Sequence, residues 1–483
     1  MNNEMFISVV TELRALTTEF PHPIYAVGGC VRDLLLGFDP HDIDIVVDAP
    51  NGEQELAQHL TEKFPEKIKN LVQNIKFGTN RFTLIMSDGT EEQIDCAMTR
   101  TETYSKGCRK PNDVGYAGVG FDALRRDFTL NALYYDIRTN KVLDPTNKGM
   151  EDLKNKLLRT PLDPKETFEE DSLRMMRAIR FKVCKGFNLT KEVVEGIKAS
   201  AEFISTSARE RISEEFSKIL LSETPVEGIK DLHDTGLLKF ILPEFDNYWG
   251  MSLKSIHHFF SFTDHSLEVL RRVSMKSDSL ELRMAALLHD ISKPTPEGHQ
   301  VNLDGSWSYK DHSISSKEMA ERICLKRFRF SAAFSKKVGS LVGNHMILRH
   351  LWNSSTNTYE ASDAETRRIV RILGKNMEDE MLLIDADNLS HNLGYCLPGQ
   401  VEQFLSKVKS LKIANYDEPI IDGNEVCKLL GIKPGKAVKL FLEVVDTWRD
   451  ENPELCLNDL NDLVKSKKNF SESLNKLIEL QKV

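Results

Sequence analysis

The sequence lacks paired cysteines, long apolar runs and any excess of positive charge, and each absence excludes a class of protein. Its eight cysteines include no CxxC pair, so we expect neither a disulfide framework nor a thiolate zinc site, and a reducing, cytoplasmic setting. No run of about 18 apolar residues is present, so we expect no membrane-spanning segment. The N-terminal MNNEMFISVV lacks the basic and then apolar pattern of a signal peptide.

The charge of the chain also limits its function. A net charge of -9 and a pI near 5.9 argue against a protein that coats nucleic acid indiscriminately. A local basic face that binds phosphates is still compatible with this charge, because binding depends on one face of the protein. With 483 residues, of which 40% are hydrophobic, the chain has enough material for about three soluble domains.

The pattern of elements changes along the chain. Near the N-terminus, strand-like segments such as IYAV and DIDIVV alternate with helix-like ones, and SDGT predicts a hairpin between NRFTLIM and EEQIDCAMT. Beyond this region the pattern is almost entirely helical. We therefore predict an α+β protein with a small mixed-sheet head, a helical neck, a histidine-rich helical domain and a helical tail, over residues 1–150, 151–250, 251–400 and 401–483.

Asp42 and Asp44 lie two residues apart on an apolar strand. Alternate side chains of a strand share a face, so both carboxylates are expected to point the same way. Carboxylates this close favour a cation between them, and Mg²⁺ takes oxygen ligands while keeping places for phosphates. Asp95 on a later strand is a candidate third carboxylate. The alternative is a surface strand with two solvated aspartates.

A glycine turn comes just before this strand. Gly28 and Gly29 allow the backbone to approach a ligand closely. The helix that follows presents free N–H groups to phosphates, and Arg32 adds a guanidinium suited to phosphate oxygens. The turn and the two aspartates together predict a nucleotide site.

Six motifs give the chain a family resemblance over about residues 20–245. They are GGCVRD (28–33), DID (42–44), RRDFTLNAL (125–133), LDP (143–145), EDSLRMMRAIRF (170–181) and RERISEEFSKIL (209–220). In these motifs the sequence resembles the class II nucleotidyltransferases, the family of CCA-adding tRNA nucleotidyltransferases and bacterial poly(A) polymerases. The resemblance implies a polymerase-beta-like head.

The resemblance also implies roles for individual residues. Catalysis is assigned to Asp42 and Asp44, which would hold Mg²⁺, and to Asp95. Nucleotide binding is assigned to a larger set around the triphosphate and sugar: Gly28, Gly29, Arg32, Asp33, Arg109, Arg126, Asp127 and Asn131. In the neck, Asp171 and Arg174 at i and i+3 of one helix would pair with the edge of C and then of A, with Arg177 and Arg180 continuing toward the phosphates. The alternative for Asp171 and Arg174 is a plain surface ion pair.

The shared motifs leave CCA addition and poly(A) addition open. Residues 99–114 resemble the flexible loop that full CCA enzymes keep, and the acidic chain lacks the basic C-terminal extension common in poly(A) polymerases. These features favour CCA addition, with the tRNA acceptor end, CTP and ATP as partners. The basic stretch 322–349 is either an RNA-binding face or a solvated helix face.

A second set of residues falls in the histidine-rich region. His265, His289, Asp290, His312, His345 and Asp387 follow the H…HD…H…H…D order of the HD superfamily of metal-dependent phosphohydrolases, which this region resembles. The resemblance implies a transition-metal centre of Mn²⁺, Ni²⁺, Co²⁺ or Fe²⁺, with Lys293 near the phosphate. It also implies phosphoester substrates such as 2′,3′-cyclic or 2′-phosphates. A further alternative is a phosphohydrolase whose head only binds RNA.

Overall fold

The computed structural model describes residues 4–40, 42–103, 113–253, 261–391, 396–413 and 420–453. The chain forms two compact units. The first comprises residues 1–247 with 327–329, and the second comprises 248–326 with the chain from 330 onward.

The first unit is built around a seven-stranded sheet of order β3-β4-β5-β2-β1-β8-β9. Strands β2 and β5 are parallel, and the other neighbouring pairs are antiparallel. Strands β6 and β7 form a separate hairpin, and β10 pairs with β11. The strands of this unit are β1 Ile24–Val27, β2 Ile43–Val47, β3 Ile68–Asn74, β4 Thr79–Ile85, β5 Glu91–Met98, β6 Arg100–Thr103, β7 Asp113–Tyr116, β8 Tyr134–Asp136, β9 Val142–Leu143, β10 Leu157–Leu158 and β11 Asn188–Leu189.

Helices pack on this sheet and then continue alone. Helix α3 packs against β2, β4 and β5, and from α6 onward helices pack mainly on each other. The helices are α1 Glu4–Leu16, α2 Gly29–Leu35, α3 Gly52–Lys63, α4 Val119–Leu124, α5 Gly149–Lys154, α6 Pro164–Glu170, α7 Leu173–Lys185, α8 Lys191–Ser200, α9 Arg209–Leu220, α10 Pro225–Asp234, α11 Leu238–Ile241 and α12 Pro243–Asp246.

Within its described residues, the second unit is mainly helical and has two short hairpins, β12 Gln300–Val301 with β13 Trp307–Ser308 and β14 Trp352–Asn353 with β15 Thr358–Tyr359. Helix α14 is buried on nearly all sides, so its C-terminal residues lie inside the unit. The helices are α13 Phe262–Ser274, α14 Leu280–Leu288, α15 His312–Arg322, α16 Ala332–Asn344, α17 Asp363–Leu373, α18 Met377–Leu389, α19 Gln400–Ser410, α20 Gly423–Leu430 and α21 Lys436–Glu451.

The observed architecture confirms the predicted α+β class, with a mixed-sheet head followed by helices. The predicted hairpin is present, since β4 and β5 pair antiparallel and Gly89 in their turn has φ of 86°. Strand β3 was not predicted. Its mostly exposed, polar sequence IKNLVQN lacks a continuous apolar face.

Two expectations from composition can be compared with the described residues. Six cysteines lie in them, and all six are free thiols. Among the described helices, none is long and apolar enough to cross a membrane.

Candidate active site and candidate metal centre

The sheet brings the predicted carboxylates of the head together. Asp44 and Asp95 are register partners on the adjacent parallel strands β2 and β5. Asp42 lies one residue before β2, and Ile43 between the two aspartates is buried. Asp44 is the exposed residue of β2, and the other four residues of the strand are buried. The strand pairing therefore places Asp95, the candidate third carboxylate, beside Asp44.

Charges around these aspartates are balanced by two arginines. Arg81 on β4 donates two hydrogen bonds to Asp95, at 2.6 and 2.8 Å. Although Asp44 is open to solvent on one side, its partial withdrawal from water raises its pKa, with further contributions from Asp95 and Asp42 and opposition from Arg126. Binding of a cation would therefore stabilise the ionised form of these carboxylates.

A cleft of about 570 Å³ opens over these strands. Its lining combines the carboxylates with arginines and small apolar residues of the sheet: Val27, Asp44, Ile45, Val46, Val72, Asn74, Thr79, Asn80, Arg81, Asp95, Cys96, Ala97, Arg125 and Arg126. This size and mixture suit a ligand that carries both a flat apolar group and negative charge.

Gly28 lies at the edge of the cleft and has φ of 80° and ψ of −135°, a conformation that glycine adopts and other residues avoid. A Cβ atom at this position would lie 3.7 Å from Nη1 of Arg126 and 3.7 Å from Oδ2 of Asp44. The turn therefore approaches both charged groups closely. Gly29 begins α2, as expected for a helix whose N–H groups face a phosphate.

Arg126 is held by a buried network. Its Nη2 donates to Oδ2 of Asp122 at 2.9 Å, and its Nε donates to the hydroxyl of Tyr134 at 3.1 Å. The Tyr134 hydroxyl in turn donates to Asp122 at 2.6 Å. Burial alone would raise the pKa of Asp122, but Arg126 and Arg125 hold it well below its ordinary value. Asp122 is thus a fixed anion that orients Arg126.

Five of the predicted residues form one hydrogen-bonded chain. Arg32 donates to both carboxylate oxygens of Asp33 at 2.9 Å, and its Nη1 donates to Oδ1 of Asn131 at 2.8 Å. Asn131 donates to Oδ1 of Asp127 at 2.9 Å, and Arg177 donates twice to Oδ2 of Asp127, at 2.9 and 2.6 Å. The chain connects the glycine turn on α2 with helix α7.

The buried ring of Phe181 lies at the centre of three guanidinium groups. The guanidinium carbons of Arg32, Arg177 and Arg180 lie 4.9, 5.6 and 4.6 Å from its centroid. Arg180 also donates to Glu215 at 2.6 Å. An aromatic face attracts cations, so Phe181 fixes the spacing of these arginines.

The expectation that Asp171 and Arg174 lie on the same helix is wrong. Asp171 lies in extended backbone after α6, and α7 begins only at Leu173. A carboxylate of Asp171 accepts the backbone N–H of Leu173 at 3.1 Å, whereas Arg174 bonds to Glu170 and to the carbonyl of Arg125. Asp171 acts as a side-chain acceptor for the first turn of α7, a role that a short carboxylate favours at a helix start.

One predicted residue cannot be placed, and several that matter were missed. Arg109 lies outside the described residues, as does part of the loop 99–114. Sequence reasoning overlooked Arg81, Asp122, Tyr134 and Phe181. Of these four residues, only Asp122 could have been predicted from the sequence. It lies three residues before Arg125 and four before Arg126, the spacing of ion pairs on a helix, and these residues lie in α4 and just after it.

In the second unit, the six residues of the histidine-rich pattern meet inside the helical core. His265 comes from α13, His289 and Asp290 follow α14, His312 begins α15, His345 follows α16 and Asp387 lies on α18. All six side chains are at least nine-tenths buried. Buried polar side chains need hydrogen-bond or metal partners, and here those partners have to come from inside the cluster.

The six residues form two adjoining groups of donor atoms that share Asp290. In the first group, Nε2 of His265 lies 3.1 Å from Nε2 of His289 and 3.0 Å from Oδ1 of Asp387, and Oδ2 of Asp290 lies 3.3 Å from His289. In the second group, Oδ1 of Asp290 lies 3.3 Å from Nε2 of His312 and 3.6 Å from Nε2 of His345. Each carboxylate oxygen of Asp290 faces a different pair of histidines.

The tautomers of these histidines fit metal ions. The Nδ1 atoms of His289, His312 and His345 lie 2.7–2.9 Å from backbone carbonyls, and that of His265 lies 3.2 Å from the carbonyl of Ser390. A carbonyl only accepts, so each Nδ1 carries the proton and each Nε2 presents a lone pair. Lone pairs that face each other at about 3 Å repel unless a cation lies between them. Backbone-held imidazoles of this kind are typical metal ligands.

The pKa of His345 agrees with this interpretation. Burial, followed by the neighbouring His312 and His289, lowers the pKa of His345 to about 3, which keeps the ring neutral as a ligand must be. Burial alone would raise the pKa of Asp290, but Lys293 and His289 hold it well below its ordinary value. Nζ of Lys293 lies 2.7 Å from Oδ2 of Asp290. His391 lies against Asp387 and was not predicted.

The fold and the two sites together define a nucleotidyltransferase head joined to an HD domain. The profile described as Poly A polymerase head domain matches residues 24–159, and that described as Probable RNA and SrmB- binding site of polymerase A matches 186–248. The profile of the HD domain matches residues 262–373.

Similarity to curated proteins extends over nearly the whole chain. The chain is 34% identical to the CCA-adding enzyme of Lactobacillus helveticus over 95% of this chain and 98% of that protein. It is 28% identical to the tRNA nucleotidyltransferase cca1 of Schizosaccharomyces pombe, over 95% of this chain and 93% of that protein. The chain therefore belongs to the family of CCA-adding enzymes and is a nucleotidyltransferase.

A solved structure supports the fold. The Bacillus stearothermophilus CCA-adding enzyme, crystallised in complex with CTP, covers all of this chain and 98% of its own, with a TM-score of 0.61 and 20% identity. The resemblance in the sequence motifs is confirmed at the level of the family.

Proposed function

We propose that the head of this CCA-adding enzyme extends the 3′ end of tRNA with two C residues and one A, using CTP and ATP. The 3′-hydroxyl oxygen of the RNA forms a bond to the α-phosphorus of the nucleotide, and the bond from that phosphorus to pyrophosphate breaks. The observation that supports this most strongly is the Asp44–Asp95 pair beside Gly28 and Arg126 in one cleft. Of the two polymerising activities, family membership favours CCA addition.

In this proposal Asp42 and Asp44 would hold two Mg²⁺ ions, with Asp95 as a third carboxylate beside them. When bound, the ions supply charge that favours deprotonation of the attacking hydroxyl and stabilises the leaving pyrophosphate. Gly28 and Gly29 allow the triphosphate to approach the backbone. Arg126, fixed by Asp122 and Tyr134, neutralises its negative charge.

The network around Arg32 carries a different role. Arg32 is buried and bonded to Asp33 and Asn131. It therefore positions the glycine turn and Asn131, a residue assigned to binding of the triphosphate and sugar. Asn131 bonds to Asp127, and Asp127 bonds to Arg177 on α7. Arg180 is bound to Glu215. Arg109 is proposed to contact the triphosphate on the strength of its motif alone.

Base selection is proposed for Asp171 and Arg174. Arg174 bonds to neighbouring groups through Nη1 and Nη2, and its Nε makes no hydrogen bond within the described residues. A guanidinium donor and the Asp171 acceptor together offer a pattern that C and A can match and that G and U cannot. The four-part division into head, neck, HD domain and tail is proposed with the predicted boundaries.

Primer extension tests this function. Purified protein is incubated with tRNA lacking its 3′ CCA, Mg²⁺ and either single nucleotides or CTP with ATP, and products are resolved at single-nucleotide length. The expected product is CCA followed by a stop. Long A-only ladders would instead establish a poly(A) polymerase.

Matched variants identify the residues responsible. Asp44→Asn is expected to lower incorporation by at least about 10²-fold, the scale of losing one main electrostatic contribution. Asp88→Asn, the same change in an exposed hairpin turn, should leave the rate unchanged. Equal rates for wild type and Asp44→Asn would exclude the proposed catalytic cleft.

We further infer that the HD domain hydrolyses phosphoesters such as 2′,3′-cyclic or 2′-phosphates. His265, His289, Asp290 and Asp387 would hold one transition-metal ion, and Asp290, His312 and His345 a second. Bound ions supply a water activated at neutral pH and charge for the phosphate oxygens. Lys293, beside Asp290, contributes a further positive charge toward the phosphate.

The hydrolase proposal is tested on purified protein loaded separately with Mn²⁺, Co²⁺, Ni²⁺ or Fe²⁺. Hydrolysis of 2′,3′-cyclic AMP and of 2′-AMP is followed by chromatography. His312→Gln should abolish it, and Asp44→Asn should not change it. The absence of bound metal together with no hydrolysis in any ion would refute the proposal.

A further inference from the structure

His391 stands outside the six-residue pattern but lies beside its first group of ligands. It follows α18 by two residues, four positions after Asp387. One ligand atom each from His265, Asp387 and His391 lie within 4.8 Å of one another. The side chain of His391 is only 7% exposed, and its Nδ1 lies 3.7 Å from Oδ1 of Asp387.

The hydrogen bonding of His391 matches that of the ligand histidines. Its Nδ1 lies 2.7 Å from the backbone carbonyl of Asp387, as the Nδ1 atoms of the other four lie against carbonyls. The carbonyl requires the proton on Nδ1, so the lone pair of His391 is on Nε2. His391 is therefore in the tautomer that binds metal through Nε2.

The ring of His391 packs within the histidine cluster. Its centroid lies 5.0 Å from that of His265, at an angle of 73°. Neighbouring rings of the predicted ligands have similar arrangements, both within one proposed ion site, 5.1 Å and 62° for His265 with His289, and between the two sites, 5.3 Å and 81° for His289 with His345. Ring packing therefore places His391 inside the cluster of predicted ligands.

We propose that His391 is a further ligand of this centre, binding the ion held by His265 and Asp387. This inference rests on the proposed function of the HD domain. The ion would have five protein donors, His265, His289, Asp290, Asp387 and His391. Five donors leave one place in an octahedron and disfavour Zn²⁺, which prefers four ligands in structural sites. Mn²⁺, Fe²⁺, Co²⁺ and Ni²⁺ accept mixed nitrogen and oxygen donors in six-coordinate sites.

The alternative role for His391 is that of a helix cap. A histidine near the end of a helix can bond a terminal carbonyl without touching a ligand. A cap stabilises the metal-free protein and leaves metal affinity unchanged. A ligand has the opposite pattern, with a large effect on affinity and a smaller one on the metal-free melting temperature.

Two substitutions at the same position separate these roles. His391→Gln and His391→Glu both place a polar atom near the position of Nε2, but only the carboxylate is a strong metal ligand. His350→Gln, an exposed histidine of the same unit, is the control. The full chain is stripped with a chelator and titrated with Co²⁺ by calorimetry. The visible absorption of Co²⁺ is recorded in parallel, because its d–d bands respond to coordination number.

We expect His391→Gln to weaken the affinity for one Co²⁺ by at least about tenfold and to alter its absorption bands, the scale seen for changes close to a metal. His391→Glu should recover most of the affinity, and His350→Gln should match wild type. Wild-type affinity and spectrum in His391→Gln would overturn the role of His391 while leaving the metal centre intact. A wild-type protein that binds no Co²⁺ would overturn both.

Discussion

Arg177 on α7 donates two hydrogen bonds to a single carboxylate oxygen of Asp127, at 2.9 and 2.6 Å. Both residues were expected to act separately on the nucleotide, one at the phosphates and one at the sugar. Their pairing means that a side chain of the neck helix fixes a residue of the RRDFTLNAL motif. The ion pair therefore links the helix proposed to select the base to the motif proposed to bind the nucleotide.

A double-mutant cycle on this pair should reveal strong coupling. Arg177→Met and Asp127→Asn each remove the ion pair, and the double variant removes both charges. We expect a coupling free energy of about 1–3 kcal/mol in urea unfolding, because the two groups are partly buried and in direct contact. Additive effects of the single changes would show that the pair contributes nothing of its own.

Asp127 should also make stability depend on pH. Burial alone would raise its pKa, but Arg177 and Asn131 lower the pKa to about 2, below the ordinary 3.8. A depressed pKa stabilises the fold by about 2 kcal/mol above pH 4, and this contribution is lost as pH falls toward 2. Between pH 6 and pH 3, wild type should lose about 1 kcal/mol more than Asp127→Asn in urea unfolding. Parallel curves for the two proteins would contradict the assigned pKa.

The two adjacent glycines should respond differently to alanine. Gly28→Ala forces a Cβ into φ of 80° and should cost about 1–3 kcal/mol of stability, with a raised KM for ATP. Gly29→Ala is the matched control, since its Cβ would meet only Nη2 of Arg32 at 3.5 Å, an ordinary contact. Unfolding and nucleotide titrations measure both effects. Equal behaviour of the two variants would show that backbone conformation is not the constraint.

Removal of single carboxylates should change the number of bound metal ions differently. Asp290 faces both histidine pairs, so Asp290→Asn is expected to lose two ions per chain. Asp387 faces only the first pair, so Asp387→Asn should lose one. Elemental analysis after dialysis gives the count. Two ions retained by Asp290→Asn would rule out a bridging carboxylate.

The sequence predicted the pieces of the sites better than their connections. Asp42 and Asp44 were predicted from their alternate spacing on one strand, and the six HD residues from the order in which His and Asp follow one another along the chain. Arg81 was missed because its partner Asp95 becomes a neighbour only through strand pairing. Phe181 looked like any core aromatic, and its three guanidinium neighbours come from two different helices. Asp171 was misplaced because the helical spacing of the sequence continues through the break between α6 and α7.

The proposed ligands of the metal centre come from segments spread between His265 and His391, on or next to five helices. A bound ion would therefore act as a cross-link that ties these helices together and reduces the freedom of the unfolded chain. Because an unfolded chain is the form that proteases degrade, the supply of metal would then set how long this part of the protein survives in a cell. The centre would govern the lifetime of the molecule whether or not it turns over a substrate.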